Sequence, residues 1–465
     1  MNKPCAATLH TDTAPCARQV FAALPLGRAG GVDGWVGEEL RLWPPPLLDA
    51  TAALLALVES TGRWPEDLSH CETVLLAKPG GDPGDPLARR PITLLPVLVR
   101  AWARLRREEV DGWRGEWDPA VRAAWLGADG QAWELGWAIA GAHAGESGIA
   151  GVAADFTKCY DACRLALVER ALLRAGVPAA LVGPLRAAYA FGRRLRIGQA
   201  WGQPTWPVSG VPAGCPLAVS VLAVLTFPWS VRARRAQQCV VGVTSAEGRR
   251  YVDDLLAWAV GSLPGLRAAA RSAWECTQAS AQALQLPLHP GKSLLFAHPA
   301  ELRHRLGEDL PGITVARGFR DLGVGHTVGG QVDHSVADAR ALGTLPRLAR
   351  LAALPLPRAA RLQAVAASGV AAVTYGACAN TPSAGVLRKV RAAAGAAVWR
   401  GGAFGAVELR LLLGSRDVRA DPAAAFAVEP LWALARGLAA GLCTHAEVRR
   451  LEAHSGRCGV AGPLA

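Results

Sequence analysis

The chain has 465 residues, with 50 Lys and Arg against 38 Asp and Glu, so its formal charge is +12. Half of it (51%) is apolar and 19% is charged, which excludes a disordered chain, and the length allows about two to four domains with full cores. The positive sign favours polyanions over acidic partners. Arginine carries nearly all of that charge, because lysine occurs only at Lys3, Lys78, Lys158, Lys292 and Lys389. The skew towards Arg, Ala, Gly, Pro and Leu reads first as GC-rich coding. Eleven scattered cysteines, never spaced C-x-x-C, fit free thiols in a reducing compartment. The first residues lack the apolar core of a secretory signal, so an intracellular setting is expected.

In chain order, Leu47, Leu48, Thr51, Leu54, Leu55 and Val58 mark one face of an amphipathic helix, opened by Pro44–Pro46 and closed at Gly62. ETVLLAKP reads as a strand, GGDPGDPLARRP as a loop, and PITLLPVLVRAWARLRREE as a helix. GIAGVAADF (148–156) is a short apolar strand ending in a carboxylate, and CRLALVERALLRAGVP is a helix stopped by Gly176 and Pro178. LRIGQAW suggests a hairpin strand, and residues 216–227 a helix. Gly198 to Val231 carries no charge, but Pro212, Pro216 and Pro228 interrupt it and Arg232 ends it. A buried core helix is therefore expected there, and no membrane span. RRYVDDLLAW reads as two strands around a tight Asp-Asp turn, PGLRAAARSAWECTQASAQAL as a long helix, and LLFA and GFRDLGVG as short strands. Beyond about 335 the composition is helical. The expected class is α+β, with a helical C-terminal region.

Two acidic sites lie at strand ends: Asp155, and Asp253 with Asp254. Carboxylates inside apolar strands are costly through desolvation and mutual repulsion, and divalent cations relieve both. Carboxylates on adjacent strands can hold two metal ions about 4 Å apart, an arrangement suited to in-line phosphoryl transfer. The Asp-Asp pair alone reads equally well as an ordinary turn.

The surrounding text resembles the reverse transcriptases of non-LTR (LINE-type) retrotransposons. ADFTKCYDACRL (154–165) resembles the first palm motif of that family, SGVPAGCPL (209–217) the second, and YVDD (251–254) the Y-x-D-D motif. LPLHPGKS (286–293) is similar to the segment carrying a lysine after the palm helix, and GFRDLGV (318–324) to the hairpin that grips the primer. AKPGG (77–81) with ARRPITLLPV (88–97) resembles the fingers pattern, and GRAGGVDGW (27–35) an element N-terminal to it. These seven elements stand in family order.

The resemblance implies a right-hand polymerase: an N-terminal tail (1–20), an N-terminal extension with fingers (21–150), a palm with an antiparallel sheet and primer-grip hairpin (151–334), and a helical thumb and C-terminal region (335–465). It implies an RNA-directed DNA polymerase in which Asp155, Asp253 and Asp254 hold two Mg2+ ions, with Mn2+ as substitute. Lys292 would assist the leaving pyrophosphate. Lys78, Arg90, Tyr160 and Gly214 would bind the nucleotide, with Tyr160 as a steric gate against the ribose 2′-hydroxyl and also packing in the core. Lys158 fits a supporting ion pair. The implied partners are an RNA template, a DNA primer or target DNA, and deoxynucleoside triphosphates. An endonuclease is expected in another part of a longer polyprotein or in another protein.

Ala213 stands where the family usually has Gln. That departure keeps open an alternative, a catalytically weak or inactive reverse-transcriptase-derived protein that binds nucleic acid. A viral RNA-dependent RNA polymerase fits less well, since Gly-Asp-Asp would be expected at YVDD. Arginine clusters at 193–196, 232–235, 249–250 and 340–361 offer phosphate contacts, and sixteen Trp offer stacking faces. Cys443, His445, His454 and Cys458 offer zinc ligands, but the first pair is closer in sequence than structural sites use, and the segment also reads as an ordinary charged helix.

Overall fold

The computed structural model describes residues 13–78, 80–82, 84–85, 88–118, 127–329, 331–399, 411 and 420–458. It is a mixed α+β protein whose centre is a five-stranded sheet. The strands are β1 (His70–Ala77), β2 (Arg89–Leu94), β3 (Gly148–Ala154), β4 (Gly192–Ile197), β5 (Ala200–Trp201), β6 (Val243–Tyr251), β7 (Asp254–Gly261), β8 (Leu294–His298), β9 (Thr314–Ala316), β10 (Gly318–Asp321) and β11 (Val324–Thr327).

The central sheet runs in the order β6-β7-β3-β8-β9. Its first four strands pair antiparallel, as expected, but β8 and β9 are parallel. The Ala300–Asp309 helix between them supplies the crossover that a parallel pair requires. Both faces are covered, which explains why β3 is apolar at every position instead of alternating with polar residues. Ala150, Ala259 and Ala297 pack with Leu266, Ala269 and Ala270 of the Leu263–Leu284 helix on one face. On the other, Ile149, Leu256, Trp258 and Phe296 pack with Leu135 and Ile139 of the Gly127–Ala144 helix. Gly151 sits where strands press closest: a Cβ there would come within 2.2 Å of the Ala257 carbonyl oxygen.

A second sheet has the order β2-β1-β4-β5, its last two strands falling in sequence between β3 and β6. It corrects the expected helix over PITLLPVLVR, because Ile92, Thr93 and Leu94 pair antiparallel with Val74, Thr73 and Glu72, and the helix starts only at Val97. An apolar run does not by itself distinguish strand from buried helix; Pro96, the residue before the helix, separates the two here. The apolar helix expected over 216–227 runs on as Ala218–Gln238, past Pro228 and the three arginines. Among the described residues no helix is long and apolar enough to cross a membrane.

The β10–β11 hairpin forms as expected, with Leu322 and Gly323 both at positive φ (+46° and +79°) as a two-residue primed turn requires. Phe319 of this hairpin stacks on Phe296 of the central sheet at 4.5 Å, and full burial of such a ring is worth about 2–3 kcal/mol. On its other side the Tyr375 hydroxyl donates to the Leu322 carbonyl (2.7 Å), and Arg340 donates to the carbonyls of Gly323 and Tyr375. The helices from Ser335 onwards have their own core, including Leu348, Val365, Val390 and Phe426.

Candidate active site

Asp155 lies one residue beyond the end of β3, the middle strand. Its backbone is fixed by the segment before β8: His289 N–H donates to the Asp155 carbonyl (2.8 Å), and Asp155 N–H donates to Ser293 Oγ (3.3 Å). Lys292, on that segment, places Nζ 2.7 Å from Asp155 Oδ2. Asp253 and Asp254 arrive on the neighbouring β6–β7 hairpin. Tyr251 pairs with Asp254, so the turn is Val252–Asp253 and not the expected Asp-Asp pair; Asp254 already belongs to β7. Val252 has φ +58°, a left-handed conformation uncommon for a β-branched residue and costing about 1–3 kcal/mol. This strained turn holds the two carboxylates side by side beside Asp155.

The electrostatics record the crowding. Burial pushes the Asp254 carboxyl up to about 7, with further repulsion from Asp253, Asp321 and Asp155 against the pull of Lys292. Burial and Asp155 also raise Asp253. Asp321, at the tip of the β10–β11 hairpin, is 9% exposed, its Oδ2 has no hydrogen-bond partner among the described residues, and burial pushes its carboxyl up to about 6. This fourth carboxylate is not singled out by the sequence, where its only signal is an Asp at a turn, which turns commonly carry. Lys292 is raised mainly by its hydrogen bond to Asp155, so in this state it serves as the counter-charge of that carboxylate.

The first-motif residues continue into a second charged group. Tyr160 is half-buried, and burial together with Asp253 pushes its phenol up to about 12. Its carbonyl accepts from Val211 N–H (2.8 Å), and Gly210 N–H donates to the Cys163 carbonyl (2.8 Å), which fastens the 209–217 loop to the first motif. Gly214 lets that loop meet β2: a Cβ there would lie 2.9 Å from the Thr93 carbonyl oxygen. Ala213 beside it is exposed. Asp161, also unassigned from sequence, is raised by burial and drawn down by Arg193, Lys158 and Lys78. Three of the five lysines are thus brought to site carboxylates: Lys292 to Asp155, and Lys78 and Lys158 to Asp161. Arg90 is exposed on β2, opposite Leu76.

Asp155, Asp253 and Asp254 offer only hard oxygen donors with uncancelled negative charge, and this suits magnesium in kind and in charge. Among the described residues no three His, Cys, Asp or Glu side chains close on one point; Asp155 Oδ2 is engaged by Lys292. The fit is therefore one of donor chemistry and electrostatics.

Among the described residues, no group that could hold a metal forms from the tail residues offered as zinc ligands. Cys443 is buried with Trp133, Cys378 and Ala433, His445 is exposed, and the Cys458 side chain lies outside the described residues. Several arginines expected to meet phosphate are structural instead. Arg250 is 6% exposed and bound to Asp118 at 2.5 Å, Arg249 faces Glu134, and Arg361 donates to the Val398 carbonyl. No protein-family model matches the chain, and no curated protein matches it significantly.

Proposed function

We propose that the chain is an RNA-directed DNA polymerase, extending a primer 3′-hydroxyl with deoxynucleotides on an RNA template. The observation that carries this reading is the meeting of Asp155, Asp253 and Asp254 at one end of the central sheet, with Lys292 on Asp155. In this reading β1 and β2 belong to the fingers, with β4 and β5 of the palm segment completing their sheet; the central sheet is the palm, β10–β11 grips the primer, and the helices from Ser335 form the thumb.

Asp155, Asp253 and Asp254 would hold two magnesium ions, with manganese as a substitute; when bound, these supply the positive charge that activates a hydroxyl nucleophile and neutralises a triphosphate. Lys292 orients Asp155 through its 2.7 Å contact, and its ammonium is 63% exposed and free to swing towards a departing anion. Tyr160, anchored through its backbone to the 209–217 loop, limits the space beside Asp155 and selects against a 2′-hydroxyl. Lys78 and Arg90, at the open ends of β1 and β2, present cations to the triphosphate. Gly214 preserves the close seat of the loop on β2.

Primer extension on an RNA template with magnesium tests the reading. The chain should extend the primer, Asp253→Ala should not, and Tyr160→Ala should admit ribonucleotides. Equal signals from the chain and Asp253→Ala would remove it. Exposed Ala213, lacking the amide usual at that position, favours the second reading: a relative that binds nucleic acid without copying it. Template binding without extension in the parent chain would select that one.

A further inference from the structure

A cavity of about 460 Å³ lies between the Gly127–Ala144 helix, the edge strand β6 with its neighbour β7, and the start of the His445–Cys458 helix. It contains none of Asp155, Asp253, Asp254 or Lys292, and its volume is that of a small-molecule site. Trp133, Trp137 and Trp258 line it, the first two stacked at 5.3 Å. Its charged lining is three carboxylates, Glu134, Glu247 and Glu447, against two guanidinium groups, Arg249 and Arg450. That balance is negative in a chain whose total is +12.

Most of this charge is already committed. Arg249 Nε lies 2.9 Å from Glu134 Oε2, and Arg249 also reaches Glu247 at 3.8 Å. Glu447 Oε2 accepts from Thr444 N–H (2.7 Å) and Oγ1 (2.9 Å), capping its helix. Glu134 Oε1 is left. Glu134 is 8% exposed, and this buried oxygen has no hydrogen-bond partner among the described residues. Burial pushes its carboxyl up, Arg249 pulls it down, and Glu247 pushes it up again. A carboxylate oxygen only accepts, so whatever satisfies it must donate. A charged donor gains more than a neutral one beside a buried anion and beside indole faces.

We propose that this cavity is a binding site for an organic cation, a protonated amine carrying an apolar or aromatic body. The ammonium N–H donates to Glu134 Oε1 and the body lies against the tryptophans.

The test is calorimetric titration of the full chain, without nucleotide or nucleic acid, using benzylammonium as the probe. Benzyl alcohol and benzoate are the neutral and anionic controls. Benzylammonium should bind and the two controls should not. Glu134→Gln, which keeps the volume, should weaken binding at least about tenfold while leaving the melting temperature nearly unchanged. Trp137→Leu, at a half-buried position, should weaken it about threefold without altering charge, and decides the matter if Glu134→Gln unfolds. Equal binding of either control, unchanged affinity in the folded variants, or no heat up to about 10 mM probe would overturn the proposal.

Discussion

Two sets of inward-facing carboxylates are treated in opposite ways. Asp118 is fully buried and receives both Arg114 (3.1 Å) and Arg250 (2.5 Å), while Arg250 also stacks on Phe227. At the end of the central sheet, Asp253 and Asp254 face Asp155 and Asp321, with Lys292 as the cation that engages this group. The same chain, rich in arginine, pairs one set closely and leaves the other repulsive. A repulsive carboxylate group held by a strained turn is a cost that stability alone does not explain, and such sites are where function concentrates.

The sharpest way to break the contrast is to remove the anion from the paired set. Asp118→Ala strands two buried guanidinium groups and should cost about 3–5 kcal/mol in urea unfolding. A smaller effect is expected from His326, which is 4% exposed and held by burial at about 4. Its folded value lies below its unfolded one, so its contribution is complete above about 6.5 and is lost as pH falls towards 4. The loss reaches about 3 kcal/mol. Melting curves across that window should show it, and His326→Leu should flatten it.

Removing an anion from the repulsive set should do the reverse. Asp254 has a folded value above its unfolded one, so its contribution is present below about 4 and lost as pH rises through about 7. At pH 8 and without divalent ions, Asp254→Asn should therefore stabilise the fold by about 1 kcal/mol and abolish primer extension. Destabilisation comparable to Asp118→Ala would erase the distinction between the two sets. Val252→Gly should add about 1 kcal/mol by relieving the positive φ, measured by the same unfolding.

How far the sequence foretold this depends on the range of each interaction. The end of β3 and the presence of a hairpin at YVDD were legible because apolar runs and a turn mark them locally, although the turn falls one residue earlier, at Val252–Asp253. The β10–β11 hairpin was legible for the same reason, through Leu322 and Gly323. The strand over Arg89–Leu94 was misread, since its partner β1 lies across a Gly/Pro loop and the apolar run continues into a helix. Arg250 looked like a phosphate contact because nothing nearby reveals Asp118. Asp161 and Asp321 were passed over for the same reason: Lys78, Arg193 and Asp254, which give them meaning, come from distant strands.

If the repulsive carboxylates hold divalent cations, as proposed, magnesium should stabilise the fold through them. Thermal unfolding against magnesium concentration at pH 8, at constant ionic strength, tests it most directly in the parent chain and in Asp253→Ala. The parent should gain about 1.4 kcal/mol at a tenfold excess over Kd, with no gain in the variant. A flat response in the parent, or the same rise in both, would contradict it.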